Sequence, residues 1–311
     1  MTGAEACKKI ISEVNQVVSG KEAVVKKVLT AMIAGGHILI EDIPGVGKTT
    51  MAKAFAAAMN LENRRIQFTT DTMPSDITGF HMFDKVKNEF VYRQGAVMCN
   101  LLLADEINRT SSRTQAALLE VMEEGKVTID GDTRNVPDPF VVIATQNPVG
   151  SVGTSMLPES QLDRFMFRIN MGYPEMEDEI ALIMNRQTDC DIIKKVKNII
   201  DCGDLIYMQN EVSQVFMHEK IVRYIVKIVH MTRNHPDIEL GISPRGTLAI
   251  VKAAKASAYI EGRNYVVPDD VKNIFFDTAN HRIILSPRAK TQGVNTGQLI
   301  SDIIRNAYVE K

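Results

Sequence analysis

No stretch of this sequence stays apolar for anything near the ~20 residues that cross a bilayer, so membrane insertion is not expected. The opening residues, MTGAEACKKIISEV, contain no secretory hydrophobic region, and a cytoplasmic location is the expectation. Cysteine is scarce: Cys7, Cys99, Cys190 and Cys202 are all there is, and none forms a C-x-x-C pair. That argues against a zinc or redox motif and leaves free, mostly buried thiols. Neither sign of charge prevails, with 36 Lys plus Arg against 38 Asp plus Glu. The balance gives no electrostatic reason to expect a nucleic-acid partner or an anionic membrane surface, a local basic patch aside. Repeats and low-complexity tracts are absent. What is present is a chain of 311 residues, 45% apolar and 24% charged, the profile of a globular protein with one large or two ordinary domains. Its sixteen methionines are scattered, which suits core filling better than a methionine-rich groove.

The first half alternates between strand-like and helix-like segments. Strands are expected at 37–41, 64–69, 100–104, 140–145 and 165–170, and helices at 48–59 and 112–124. Such alternation, with branched apolar strands, predicts an α/β fold in which helices cover a parallel sheet. From about 176 onward the pattern is mostly helical. Residues 215–233 place Val222, Ile225, Val226 and Val229 on one face at helical spacing. Residues 245–262 form a second such helix, and Pro268 with Asp269 and Asp270 reads as the start of a third. The expected organisation is an α/β core over 1–200 and a smaller all-α domain over 201–311.

The chemistry begins at EDIPGVGKTT, residues 41–50, directly after the run His37 to Ile40. It departs from the phosphate-loop pattern G-x-x-x-x-G-K-[ST] at one corner, where Asp42 stands in place of the first glycine. The context is right, since the loop follows a strand and opens a helix. Gly45 and Gly47 let backbone N–H groups converge on phosphate oxygens. Pro44, Gly45, Val46, Gly47, Lys48, Thr49 and Thr50 are the candidate cradle. Lys48 would reach the β- and γ-phosphates, and the Thr49 hydroxyl would hold magnesium. The first glycine serves backbone freedom, so Asp42 changes the entry to the turn and leaves the cradle intact.

A second signal is the apolar strand ending in Asp105 and Glu106. Asp105 suits the magnesium water shell and Glu106 suits the orientation of an attacking water. The third is Val142-Ile143-Ala144-Thr145-Gln146-Asn147-Pro148, where Asn147 ends a buried strand beside the γ-phosphate position. Taken alone, that residue reads more readily as the start of an Asn-Pro turn.

Together with LLLADEINRTSSRTQAALLEVMEEGKVTIDG, VVIATQNPVG, LPESQLDRFMFRI and GISPRGTLAIVKAAKASA, these residues resemble the MoxR family of AAA+ ATPases from about Val18 to Ile284. GRNYVVPDDV and HRIILS fit as well, and the family often lacks the first glycine of the loop. The resemblance implies a five-stranded P-loop core with a helical lid, ATP and Mg2+ as ligands, and a homo-oligomeric ring, usually a hexamer. It makes Asn147 sensor 1, Arg164 an arginine finger reaching a neighbouring subunit, and Arg245 the sensor 2 arginine touching its own subunit's γ-phosphate. Either arginine by itself would read as a surface charge or salt bridge. Arg109 would lie near the subunit interface. Val17 and Val18 would pack on adenine or simply in the core. Residues 77–97 and 125–140 resemble inserted hairpins, the second turning at Asp130-Gly131-Asp132, and would contact partners or merely decorate the surface.

The implied function is ATP-driven, chaperone-like remodelling, assembly or activation of client proteins, typically ones with a von Willebrand factor A domain. A DNA-directed AAA+ motor or loader is the alternative. Charge balance and the absence of a visible helix-turn-helix or zinc module weigh against it. A non-hydrolysing scaffold is disfavoured by Glu106 and the two arginines. A GTPase is disfavoured because no N-K-x-D motif occurs.

Overall fold

The computed structural model describes residues 1–42, 45–147, 156–180 and 192–308. Two N-terminal helices, Gly3–Asn15 and Glu22–Ile33, precede the first strand. Among the described residues, the strands up to residue 169 are β1 (Ile38–Glu41), β2 (Asn63–Gln67), β3 (Gly79–Asp84), β4 (Glu89–Gln94), β5 (Leu101–Asp105), β6 (Lys126–Ile129), β7 (Asp132–Asn135), β8 (Val141–Gln146) and β9 (Phe167–Ile169). Five of them form one sheet in the order β2-β5-β8-β1-β9, with every pairing parallel.

The central strands are buried on both faces, as parallel strands covered by helices require. Successive side chains point to opposite sides. Thus Ile38, Ile40, Leu101, Leu103, Val141 and Ile143 enter one apolar cluster. Leu39, Leu102, Ala104, Val142 and Ala144 enter the other, under helix Ser112–Glu124. The first cluster also takes in the N-terminal helices, helix Lys48–Ala58 and the later helices without a break. Those later helices are Cys202–Gln214, Glu219–Arg233, Pro244–Ile260, Pro268–Ala279, the short Pro287–Thr291 and Thr296–Asn306, with a small ribbon of β10 (Ile238–Leu240) and β11 (Ile284–Leu285) among them. The expected boundary near residue 200 falls in the non-helical stretch 196–201.

Several expected details shift. The helix expected over 215–233 begins at Glu219, where the His218 ring accepts from the Lys220 N–H. Its buried face is Ile221, Tyr224, Ile225, Ile228 and Val229. Val222 and Val226 are instead about two-fifths exposed, at 39% and 40%. The stripe was one position out of phase, because Ile221 and Ile228 outcompete them for the core. Asp269 and Asp270 stand in the first turn of Pro268–Ala279 as expected, and Asp270 does more than face the helix dipole. It is buried, accepts from the Val267 N–H at 2.8 Å, and pairs with Arg263. The two inserted hairpins are β3–β4 and β6–β7, the second turning through Asp130 and Gly131, both at positive φ. Cys7, Cys99 and Cys202 are free, and burial pushes the thiols of Cys7 and Cys99 up to about 12. Cys190 lies outside the described residues. Among the described residues no helix is long and apolar enough to cross a membrane.

Candidate active site

The C-terminal ends of β1, β5 and β8 lie side by side, with Glu41 in register with Gln146 and Ala104 with Ala144. The glycine loop leaves β1 at this edge. Gly45 and Gly47 adopt φ of 90° and 94°, the left-handed region that a side chain disfavours, and open space surrounds both α-carbons. Gly47 caps helix Lys48–Ala58, so the first N–H groups of that helix face the loop. Lys48 is buried and donates to the Asp42 carbonyl at 2.9 Å. Burial lowers its affinity for a proton, while the carboxylates of Asp105, Asp42 and Glu106 oppose that shift. Thr49 and Thr50 follow in the first turn, half-buried, and Val46 packs against the core. Pro44 lies outside the described residues.

Asp42 does more than tolerate the missing glycine. Its buried carboxylate accepts the N–H groups of Met171 and Gly172, both at 2.6 Å, just past β9. The loop entrance is thereby tied to the edge strand of the sheet.

Asp105 and Glu106 share an anchor in Thr145, a residue that the sequence reading passed over. The Thr145 hydroxyl donates to Asp105 Oδ1 at 2.6 Å and accepts the Glu106 N–H at 2.9 Å. Its signal was a buried polar side chain at the end of an otherwise apolar strand. Glu106 sits at φ 58°, a strained conformation for a residue with a side chain, which turns its carboxylate away from the strand line. Asn147 donates to Glu106 Oε1 at 3.0 Å, and Arg109 Nε lies 3.0 Å from Oε2. Arg109 therefore meets its own subunit's glutamate. Asp105 Oδ2 is engaged by Arg65, another residue that the sequence did not single out. The hard oxygen donors Asp105 and Thr49 suit magnesium, which keeps most of its shell as water and phosphate oxygen.

The two remaining arginines lie elsewhere. Arg164 donates to the Leu119 carbonyl at 2.6 Å and pairs with Glu123 Oε2 at 3.0 Å. Arg245, on the first turn of Pro244–Ile260, pairs with the other oxygen of the same carboxylate. Glu123 belongs to the last turn of Ser112–Glu124, beside Met122, whose carbonyl bonds the His37 ring at 3.0 Å. His37 immediately precedes β1, so this cluster marks the N-terminal edge of the sheet. β1 separates it from the phosphate loop by roughly 13 Å at ~3.3 Å per residue. Arg245 thus stands at this pole, paired with Glu123, and not beside the loop of its own chain. The reason is where the later helices dock. Asp163 accepts from Ser243 at 2.8 Å and from Arg282 at 2.6 Å, and Arg282 also donates to the carbonyls of Phe165 and Met166. Arg245 is carried to the Arg164 pole as a result. Val17 and Val18 are both buried in the main apolar cluster.

A parallel sheet in this strand order, with a glycine loop, an Asp-Glu strand end and a polar amide just past the strand between them, defines an AAA+ ATPase core. Residues 37–167 match the model of the ATPase family associated with various cellular activities (AAA), and residues 230–303 match an AAA lid domain. Chaperone MoxR1 of Mycobacterium tuberculosis is 38% identical over 304 residues, covering 95% of this chain and 80% of that protein. The Bacillus subtilis protein YeaC is 46% identical over 296 residues, covering 95% and 92%. A crystal structure from Cytophaga hutchinsonii, of a protein assigned as an ATPase, superposes with a TM-score of 0.92 at 37% identity, covering 99% and 96% of the two chains. The chain belongs to the MoxR family of AAA+ ATPases.

Proposed function

We propose that this protein hydrolyses ATP with magnesium, works as a cytoplasmic ring of identical subunits, hexameric by the family pattern, and remodels, assembles or activates client proteins. Clients with a von Willebrand factor A domain are the type that the family suggests. The observation that carries the reading is the convergence of the glycine loop, Lys48, Asp105, Glu106 and Asn147 at one edge of the sheet. The loop N–H groups and Lys48 bind the β- and γ-phosphates. Thr49 and Asp105 would hold the magnesium, which would neutralise charge on the phosphates. Glu106 orients the attacking water and accepts its proton. Each of its oxygens accepts from one side chain, Asn147 or Arg109, and keeps a second lone pair for the water.

Arg164 and Arg245 act together on a neighbour's ATP, because their shared pole faces away from their own loop. The β3–β4 hairpin offers the client surface, with Phe80, Met82, Phe83 and Phe90 all exposed. The test is a pair of variants. Lys48→Ala should lose nucleotide binding, while Glu106→Gln should bind ATP and hydrolyse it at least 10²-fold more slowly. Normal turnover by Glu106→Gln would remove the glutamate from its role.

A further inference from the structure

Arg65 stands on β2, an edge strand whose register sets Arg65 against Leu103 and Gln67 against Asp105. From two residues back, its side chain reaches along the edge to the Asp105 carboxylate. Nε and Nη2 both donate to Oδ2, at 3.2 and 2.7 Å. Nη2 also donates to Gln67 Oε1 at 2.9 Å, which fixes the plane of the guanidinium. The carboxylate assigned to magnesium thus carries a cation of the chain's own on one oxygen and the Thr145 hydroxyl on the other.

We propose that Arg65 acts on the metal through Asp105, as a built-in counter-cation on that carboxylate that weakens magnesium binding and so sets how readily the metal leaves. The proposal rests on the reading of Asp105 as the metal carboxylate. Two effects of Arg65 oppose each other. Its bonds orient the carboxylate, which favours a metal, and its charge reduces the carboxylate's pull, which disfavours one. Thr145 already orients Asp105 through Oδ1, so little of the orientation depends on the arginine. The charge therefore decides the sign. Arg65 is half exposed, so the water-like limit applies, and a unit charge a few ångströms from a divalent ion is then worth about tenfold in affinity. Lys48 also lies within Coulombic reach of Asp105, and because its charge is the same in every variant it does not alter the comparison.

The test measures Mn2+ binding by the loss of the free-ion paramagnetic resonance signal, with the full chain saturated by a non-hydrolysable ATP analogue. Arg65→Gln removes the charge and should bind Mn2+ about tenfold more tightly than the wild type. Arg65→Lys keeps the charge and should stay within about twofold. Asp105→Asn should bind more weakly than all of these. If Arg65→Gln binds equally or more weakly while Asp105→Asn is weakened, the arginine is not a competing cation and the proposal falls, leaving the reading of Asp105 in place. If Asp105→Asn matches the wild type, the metal assignment and the proposal fall together. Arg65→Leu, which keeps an aliphatic stem on the strand, carries the same expectation if Arg65→Gln does not fold.

Discussion

Restoring the consensus glycine to the phosphate loop should damage this protein. In Asp42→Gly, the Met171 and Gly172 N–H groups lose the buried carboxylate oxygen that both approach to 2.6 Å. Hydrogen bonds to a charged group contribute about 1.5–3 kcal/mol each. Removing the carboxylate also relieves the cost of burying it, and water can enter the space that it leaves. Both place the loss near the lower end, at about 3 kcal/mol for the pair. The added freedom of glycine in the unfolded chain costs roughly another 0.5–1 kcal/mol. At about 2.1 cal/mol/K per residue, the unfolding entropy of a chain this long converts that sum to a drop in Tm of about 5–6 °C. Asp42→Asn keeps an oxygen in place without the charge and should lose about half as much. Nucleotide binding should persist in both variants, because Lys48 uses the main-chain carbonyl of residue 42. Thermal unfolding followed by circular dichroism decides the matter. A glycine variant that melts with or above the wild type would refute the anchoring role of Asp42.

Other outcomes follow from the two poles of the sheet and from the buried histidines. Arg164→Ala and Arg245→Ala should each bind ATP yet turn over poorly, with losses of up to about 10³-fold for the finger. Each should regain activity when mixed with Lys48→Ala, in a bell-shaped dependence on the mixing ratio. If mixed rings form and the Arg245→Ala mixture stays dead, Arg245 does not work across subunits. Assembly should depend on ATP, and light scattering with and without nucleotide checks it. A fully active monomer would rule the ring out. Burial holds His37 down at about 4 from an ordinary 6.5, and lowers His281 well below its ordinary value too. A folded value below the unfolded one means that the stabilisation is complete above pH 6.5 and lost as pH falls toward 4. For His37 the full loss is about 3 kcal/mol. Melting scans should decline between pH 6.5 and 5, before most carboxylates titrate, and a flat profile there would contradict the assignment.

The sequence made legible those parts whose chemistry is contiguous. Gly45 to Thr49 carry their own geometry, and Asp105 with Glu106 announces itself as acid at the end of an apolar strand. The strand pattern likewise exposed the parallel sheet, because burial on both faces leaves an apolar run. Contacts set by register or docking stayed hidden. Arg65 meets Asp105 only because β2 and β5 pair as they do. The partners of the Asp42 carboxylate lie about 130 residues away. The pole occupied by Arg245 depends on Asp163 receiving Ser243 and Arg282, which no local pattern encodes. Val222 and Val226 misled for a related reason, since helical spacing identifies an apolar stripe without saying which edge of it turns inward.

The separation of the phosphate loop from the Arg164–Arg245 pair by the length of β1 carries an arithmetic consequence. If, as proposed, that pair serves a neighbour's ATP, each subunit would offer a site at one end and the means to complete a different site at the other, a head-to-tail relation that would leave both ends of any open assembly unsatisfied. A run of n such subunits has n − 1 complete sites, and only closure supplies the last. Specific activity in a dilution series would then climb as stretches lengthen and step up once more when the final gap closes. A subunit with a dead loop would silence itself alone, whereas one lacking its arginines would silence its neighbour.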